Sequence, residues 1–278
     1  MIRAFSRRTR AAAAVGLVMT VAASVSAPQA TAQSLSSDPM LSYEIKPLDD
    51  LLNATGEPGP HRVPGHYFTS PRPPQAQLDI APTALVGPST PVIVGESVCT
   101  LAVTGLDRDG HKIGITAGHC GKAGDPVASF DLTSTGQIGT FVRAGEPDYG
   151  VIEFNDDVQL TRTYNNVTID QLGGAQPGPF QQLCKTGVTT GTKCGPFLGV
   201  SEPFLISHIC GAIGDSGGPL YQDRRLVGIV NGGVGKLPSC HTPLQGPIHA
   251  PVAGMSWNAI AADMDQLGGI GAGFALPA

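Results

Sequence analysis

The sequence predicts an all-β protein built as one or two antiparallel barrels, and three observations carry that expectation. Of 278 residues, 37 are glycine and 24 are proline, so about one residue in five interrupts regular structure and long helices or coiled coils are excluded. From Ile93 onward, short runs of β-branched and aromatic residues are separated by Gly and Asp turns. About a dozen such strands in some 185 residues suit barrels. Only one stretch has helical periodicity, and it lies near the end: Trp257, Ile260, Ala261, Met264 and Leu267 share one face behind a capping Ser256.

Charge narrows the function classes. The formal charge is -5 and charged residues are 14% of the chain, which is not the basic footprint of a nucleic-acid binder. Beyond residue 30 no apolar run approaches the ~20 residues of a membrane span, so the mature chain is expected to have none.

The N-terminus reads as an export signal over residues 1–32. Arg3, Arg7, Arg8 and Arg10 form a basic head, Ala11 to Val25 an apolar stretch of small residues, and Ala30-Thr31-Ala32 a cleavage site before Gln33. The Arg7-Arg8 pair does not complete a twin-arginine pattern, so the export route stays open between Sec and Tat. Between Gln33 and Pro91 lie eleven of the 24 prolines, including Pro71-Arg72-Pro73-Pro74. Such a segment buries little surface to offset its ordering entropy, and residues 33–92 read as a propeptide or a linker. Residues 93–278 then form the folded domain. Candidate strands are Thr100 to Thr104 and His111 to Thr116 around an Asp109-Gly110 turn, then Gly139–Val142, Tyr149–Phe154, Phe180–Lys185, Pro196–Val200, Leu226–Val230 and Ile248–Val252.

Six cysteines, Cys99, Cys120, Cys184, Cys194, Cys210 and Cys240, in an exported chain point to disulfides. Fifteen pairings remain open from spacing alone. No Cys-x-x-Cys or His-x3-His spacing, phosphate-cradling loop or acidic calcium loop is present in the sequence, so no metal or other cofactor is implied.

Three segments carry the chemistry: Thr116-Ala117-Gly118-His119-Cys120, Asp148-Tyr149-Gly150-Val151-Ile152, and Gly214-Asp215-Ser216-Gly217-Gly218-Pro219. A serine hydroxyl needs a base to take its proton as it attacks a carbonyl, and imidazole titrates in the useful range. A carboxylate must hold that imidazole in the right tautomer, and backbone N–H groups must meet the oxyanion. His119, Asp148 and Ser216 fit the first roles, and the N–H groups of Gly214 and Ser216 the last.

With that wording and that order, the chain resembles the chymotrypsin-fold (S1-type) serine peptidases, above all the compact secreted enzymes of actinobacteria such as the streptogrisins. The resemblance spans roughly Ile93 to Leu267. It implies two antiparallel β-barrels of chymotrypsin type (about 93–160 and 176–255) with a short C-terminal helix over about 256–267. It implies a secreted, monomeric serine endopeptidase acting on peptide or protein substrates. A silent binding module or an esterase of the same fold are the alternatives. It further implies pairings Cys99–Cys120, Cys184–Cys194 and Cys210–Cys240, and a Lys185–Asp215 pair where relatives carry Arg. Ile93-Val94-Gly95 resembles the activated N-terminus of animal relatives, but reads better as the opening of a strand. The resemblance assigns the specificity pocket to His208 at the floor, Asn231, Gly232 and Gly233 on the wall, and His249 at the back. His208 in place of Asp disfavours a tryptic preference. Two imidazoles would suit an acidic substrate side chain, although Val230 replaces another histidine of acid-selective relatives. A broad or apolar preference is the competing expectation.

Overall fold

The computed structural model describes residues 63, 68, 84–132 and 135–278. The expected export signal (1–32), most of the Pro-rich segment, His61 and His66 lie outside these described residues. Lobe one comprises β1 (Leu85–Val86), β2 (Pro91–Val94), β3 (Ser97–Thr100), β4 (Val103–Leu106), β5 (Lys112–Ala117), β6 (Pro126–Ser129), β7 (Gly139–Gly145) and β8 (Tyr149–Phe154). The short strands β9 (Gln159–Leu160), β10 (Thr163–Tyr164) and β11 (Val167–Thr168) lead out of it. Lobe two contains β12 (Gln171–Leu172), β13 (Gln182–Gly187), β14 (Gly191–Ser201), β15 (Phe204–Ser207), β16 (Pro219–Gln222), β17 (Arg225–Gly233) and β18 (Val252–Ser256). Helix α1 (Trp257–Leu267) follows directly.

In lobe one, seven strands run in the order β3-β2-β6-β7-β8-β5-β4 and form a half-barrel. In lobe two, the order β17-β16-β13-β14-β15-β18 is closed by a further β17–β18 pairing, which makes a six-stranded barrel. Closure removes the exposed strand edges that an open sheet would leave. Two pairings, β1 with β9 and β12 with β17, are parallel.

Strand β8 shows how the sequence couples the lobes. Successive residues face opposite sides of a sheet, and here both sides are apolar. Ile152 and Phe154 enter the lobe-one core with Val92, Leu101, Val127 and Phe141. Tyr149 and Val151 enter a second core with Leu226, Ile229 and Met255 of lobe two and Trp257, Ile260 and Met264 of α1. A third core, including Leu183, Phe197, Leu205, Leu220 and Val252, fills the closed barrel. Cores shared between lobes resist relative motion because side chains there interdigitate at crystal-like density.

Some sequence expectations need correction. The packed domain begins before Ile93: Pro91 and Val92 already belong to β2, and Ala84 and Val86 are fully buried. Ile93 lies inside that strand, paired with Val98. The expected strand at Ile248–Val252 is displaced to β18, because Gln245 gathers the preceding segment by accepting from the His241 and Thr242 N–H groups and donating to Ser239 O and Ile248 O. Ser256 holds the N-cap position of α1 without a capping bond from its hydroxyl. Leu267 turns outward at 59% exposure and leaves the helix face expected of it.

Candidate active site

His119 and Asp148 stand at the ends of strands and Ser216 in the bend before one, while Lys185 and Asn231 lie within strands. His119 follows β5 on a single 3-10 turn, Gly118–Cys120. Gly118 is required there, since a Cβ would meet Asp148 Oδ1 at 2.8 Å. Cys120 is bonded to Cys99, which ties the turn to β3. Asp148 precedes β8 with a positive φ of 23°, a conformation short polar side chains tolerate better than most.

The Asp148 carboxylate is held from three sides. Oδ1 accepts from the His119 backbone N–H at 2.9 Å, and Oδ2 lies 2.8 Å from His119 Nδ1. The Asn231 amide donates to Asp148 Oδ2 at 2.7 Å and to Asp148 O at 2.8 Å. The orientation of Asn231 is fixed because its Oδ1 accepts the Met255 N–H at 2.9 Å. Its NH2 therefore faces the carboxylate. With Nδ1–H directed at Asp148, the His119 tautomer leaves Nε2 with a free lone pair.

Ser216 lies in the bend that enters β16. Gly214 and Gly217 have φ of +92° and +80°, the left-handed region that glycine adopts without penalty. A Cβ on Gly217 would also collide with Thr116 Oγ1 and Thr100 O. Thr100 of lobe one grips this bend: its N–H donates to Ser216 O (2.9 Å) and its hydroxyl to Gly214 O (2.8 Å). Among the described residues, the N–H groups of Gly214 and Ser216 donate to no other group, and no hydrogen bond joins Ser216 Oγ to His119.

Beneath the bend, Asp215 and Lys185 are both fully buried and pair at 2.6 Å. Asp215 also accepts from the Thr189, Thr190 and Ala212 N–H groups and from the Thr190 hydroxyl. Lys185 Nζ further donates to Gly191 O at 3.1 Å and to Thr190 Oγ1. Burial pulls the Lys185 ammonium below its ordinary range, and the adjacent carboxylate opposes that pull. Disulfides Cys184–Cys194 and Cys210–Cys240 brace the surrounding loops. On the other flank, the Tyr149 hydroxyl donates to Asp263 Oδ2 of α1 at 2.7 Å. Burial, then the Asp263 carboxylate, pushes the phenol well above its usual value.

His119, Asp148, Gly214 and Ser216 line one cleft of ≈ 610 Å³. Asn231, Gly232 and Gly233 line it too. His208 and His249 are not among the residues that line it. The His208 N–H is engaged by Pro196 O at 3.0 Å, and the two imidazoles stack on each other with centroids 4.5 Å apart. It is Ala250, the residue after His249, that lines the cleft. Burial, chiefly, pulls the His249 imidazole below its ordinary pKa; the Ala250 carbonyl opposes this and His208 adds to it. Sequence reasoning placed Asn231 in the pocket wall and missed its bonds to Asp148. The available signal was one polar side chain ending the otherwise apolar run Leu226–Val230. Among the described residues no cluster of His, Cys, Asp or Glu is arranged to hold a metal ion.

No protein-family profile matches the chain. An uncharacterised protein of Mycobacterium tuberculosis is 32% identical over 179 residues, covering 57% of this chain and 79% of the relative. Serine protease 2 of Streptomyces fradiae is 27% identical over 167 residues, covering 53% of this chain and 92% of the relative. The crystal structure of Thermobifida fusca protease A shares the fold, with a TM-score of 0.52 at 22% identity over 64% of this chain and 95% of that one. The chain has the chymotrypsin-type fold and is similar in sequence to serine proteases of actinobacteria.

Proposed function

We propose that this protein is a secreted serine-type endopeptidase that cleaves peptide bonds through an acyl-enzyme formed on Ser216. The observation that carries the reading is the His119–Asp148–Asn231 arrangement at the mouth of the cleft that also holds Ser216 and two uncommitted backbone N–H groups. Ser216 Oγ attacks the substrate carbonyl while His119 Nε2 takes its proton. Asp148 keeps the imidazole in the required tautomer and stabilises its cationic form. The oxyanion is received by the N–H groups of Gly214 and Ser216, whose geometry is preset by the two left-handed glycines. Collapse expels the amine with the proton from His119, and water then repeats the sequence on the ester. The Ser216–His119 hydrogen bond is one that bound substrate completes, as in many free enzymes.

The substrate pocket supports an apolar side chain on the acyl side of the cleaved bond. Its lining includes Val230, Ala250 and Val252 with Gly232, Gly233 and Ser239. His208 and His249 are not in that lining, which favours an apolar over an acidic preference. Export is supported by the basic-apolar leader and the three disulfides, which persist in oxidising compartments. Profiling a peptide library, with Ser216→Ala as the control, tests both parts. Cleavage after Leu, Met or Phe is expected. Cleavage mainly after Glu or Lys would refute the pocket assignment, and equal hydrolysis by Ser216→Ala would refute the mechanism.

A further inference from the structure

The cleft has a second half that the apolar pocket does not use. His119 hands its proton to the leaving nitrogen, so the departing part of a substrate lies on the His119 side of Ser216, against lobe one. There the Cys120–Cys99 disulfide joins the His119 turn to β3, and Cys99, Val98, Ser97 and Glu96 all line the cleft. Strand β3 is at the edge of its sheet, laddered only to β2. Its Thr100 N–H points away from β2, to Ser216 O. By the alternation of an antiparallel ladder, the N–H and C=O of Val98 face the same way. A departing peptide that runs out from Ser216 along this edge reaches the tip of the β2–β3 hairpin, where Glu96 stands.

That tip is acidic. Glu96 is exposed, and among the described residues no ion pair joins its carboxylate to a cation. Of the other residues lining the cleft, only His119 and Asp148 can carry charge, and they are committed to each other. A second carboxylate stands behind the tip: a Cβ on Gly95 would meet Asp125 Oδ2 at 3.2 Å. On lobe two, Ile213 is 40% exposed beside Gly214 and lines the same cleft. A Lys or Arg side chain suits both features, since its stem covers apolar surface while its head reaches a charge in water.

We propose that Glu96 selects a Lys or Arg on the leaving side of the cleaved bond, two to four residues beyond it. Thr100 is bonded at Ser216, and Glu96 lies four residues back along the chain. At about 3.3 Å per residue that is about 13 Å, which an extended partner covers in four residues and a long side chain covers sooner. The substrate class is then a peptide that is apolar before the bond and basic after it. The proposal rests on the peptidase reading of the cleft. Exposed charge pairs are weak, so attraction of Lys and repulsion of Glu are about threefold each and together about tenfold.

The test uses the full-length chain and peptides with Phe before the cleaved bond and Lys, Gln or Glu at the second, third or fourth position after it. In wild type, kcat/KM is expected to be about tenfold higher for Lys than for Glu at one of these positions, and the ratio is expected to shrink in high salt. Glu96→Gln is expected to bring the ratio near one, and Glu96→Lys to invert it. A second arm needs no catalysis: the same peptides, fluorescently labelled, are bound to Ser216→Ala with and without Glu96→Gln and followed by anisotropy. Tighter binding of the Lys peptide, lost with Glu96→Gln, is expected. Equal values for Lys and Glu peptides in both arms overturn the inference while turnover itself upholds the peptidase reading. A Lys preference that survives Glu96→Gln overturns the assignment to Glu96. Charge-selective binding with no hydrolysis by wild type keeps the acidic subsite and refutes the peptidase.

Discussion

Replacing Lys185 by Met tests the foundation of the serine bend. The side chain is nearly isosteric, so packing changes little and the ammonium is what is lost. Lys185 and Asp215 are each 0% exposed, so solvent does not compensate either charge. After the substitution Asp215 keeps four neutral donors, from Thr189 N, Thr190 N, Thr190 Oγ1 and Ala212 N. Gly191 O and Thr190 Oγ1 lose a donor. Breaking a buried pair on one side costs about 3–5 kcal/mol, and the four remaining donors place this case near the lower value. With a urea slope of about 2 kcal/mol/M, the unfolding midpoint falls by about 1.5 M. Unfolding followed by tryptophan fluorescence, with the disulfides oxidised, measures this, and Lys185→Arg is expected to recover part of the loss. A midpoint shift of less than about 0.5 M, with turnover intact, would show that the pair does not support the bend.

Three further outcomes follow from the site. Asn231→Ala removes both amide bonds to Asp148 and is expected to lower kcat about 10–100-fold with little change in KM, since a hydrogen bond to a charged group contributes about 1.5–3 kcal/mol; steady-state kinetics on a peptide substrate checks it. Gly214→Ala places a Cβ at φ +92° against Thr189 Oγ1 and is expected to abolish peptide turnover while the protein remains folded by circular dichroism. The folded-state pKa of His249 is depressed, so above the unfolded value of about 6.5 the group has no effect on stability. As pH falls through 6.5, the unfolded chain takes the proton first and stability declines, until the folded pKa is passed. Thermal unfolding of wild type and His249→Phe between pH 7 and pH 4.5 is expected to show a shallower decline in the variant.

Strand periodicity, turn chemistry and the helix face made most of the fold legible. Tyr149–Phe154 was predicted with its final boundaries, because its apolar residues stand between clear turn signals. The shift of β18 was not legible: Ile248 looks like a strand residue, yet the Gln245 side chain bonds the backbone of Ser239, His241, Thr242 and Ile248 and gathers the segment into a turn. The local wording around His119, Asp148 and Ser216 located those residues, because glycines needed for close approach are visible as letters. The pocket was harder to read. Whether His249 or Ala250 lines the cleft is decided in the irregular segment before β18, where no strand alternation applies.

The central claim is that Ser216 is an activated nucleophile. Intact-mass analysis after prolonged exposure to a fluorophosphonate tests it most directly, on the native chain and on Ser216→Ala. The account predicts one adduct per native chain, located on the peptide containing Ser216 and absent from Ser216→Ala. A folded native chain that remains unlabelled, or an adduct that persists in Ser216→Ala, would contradict it.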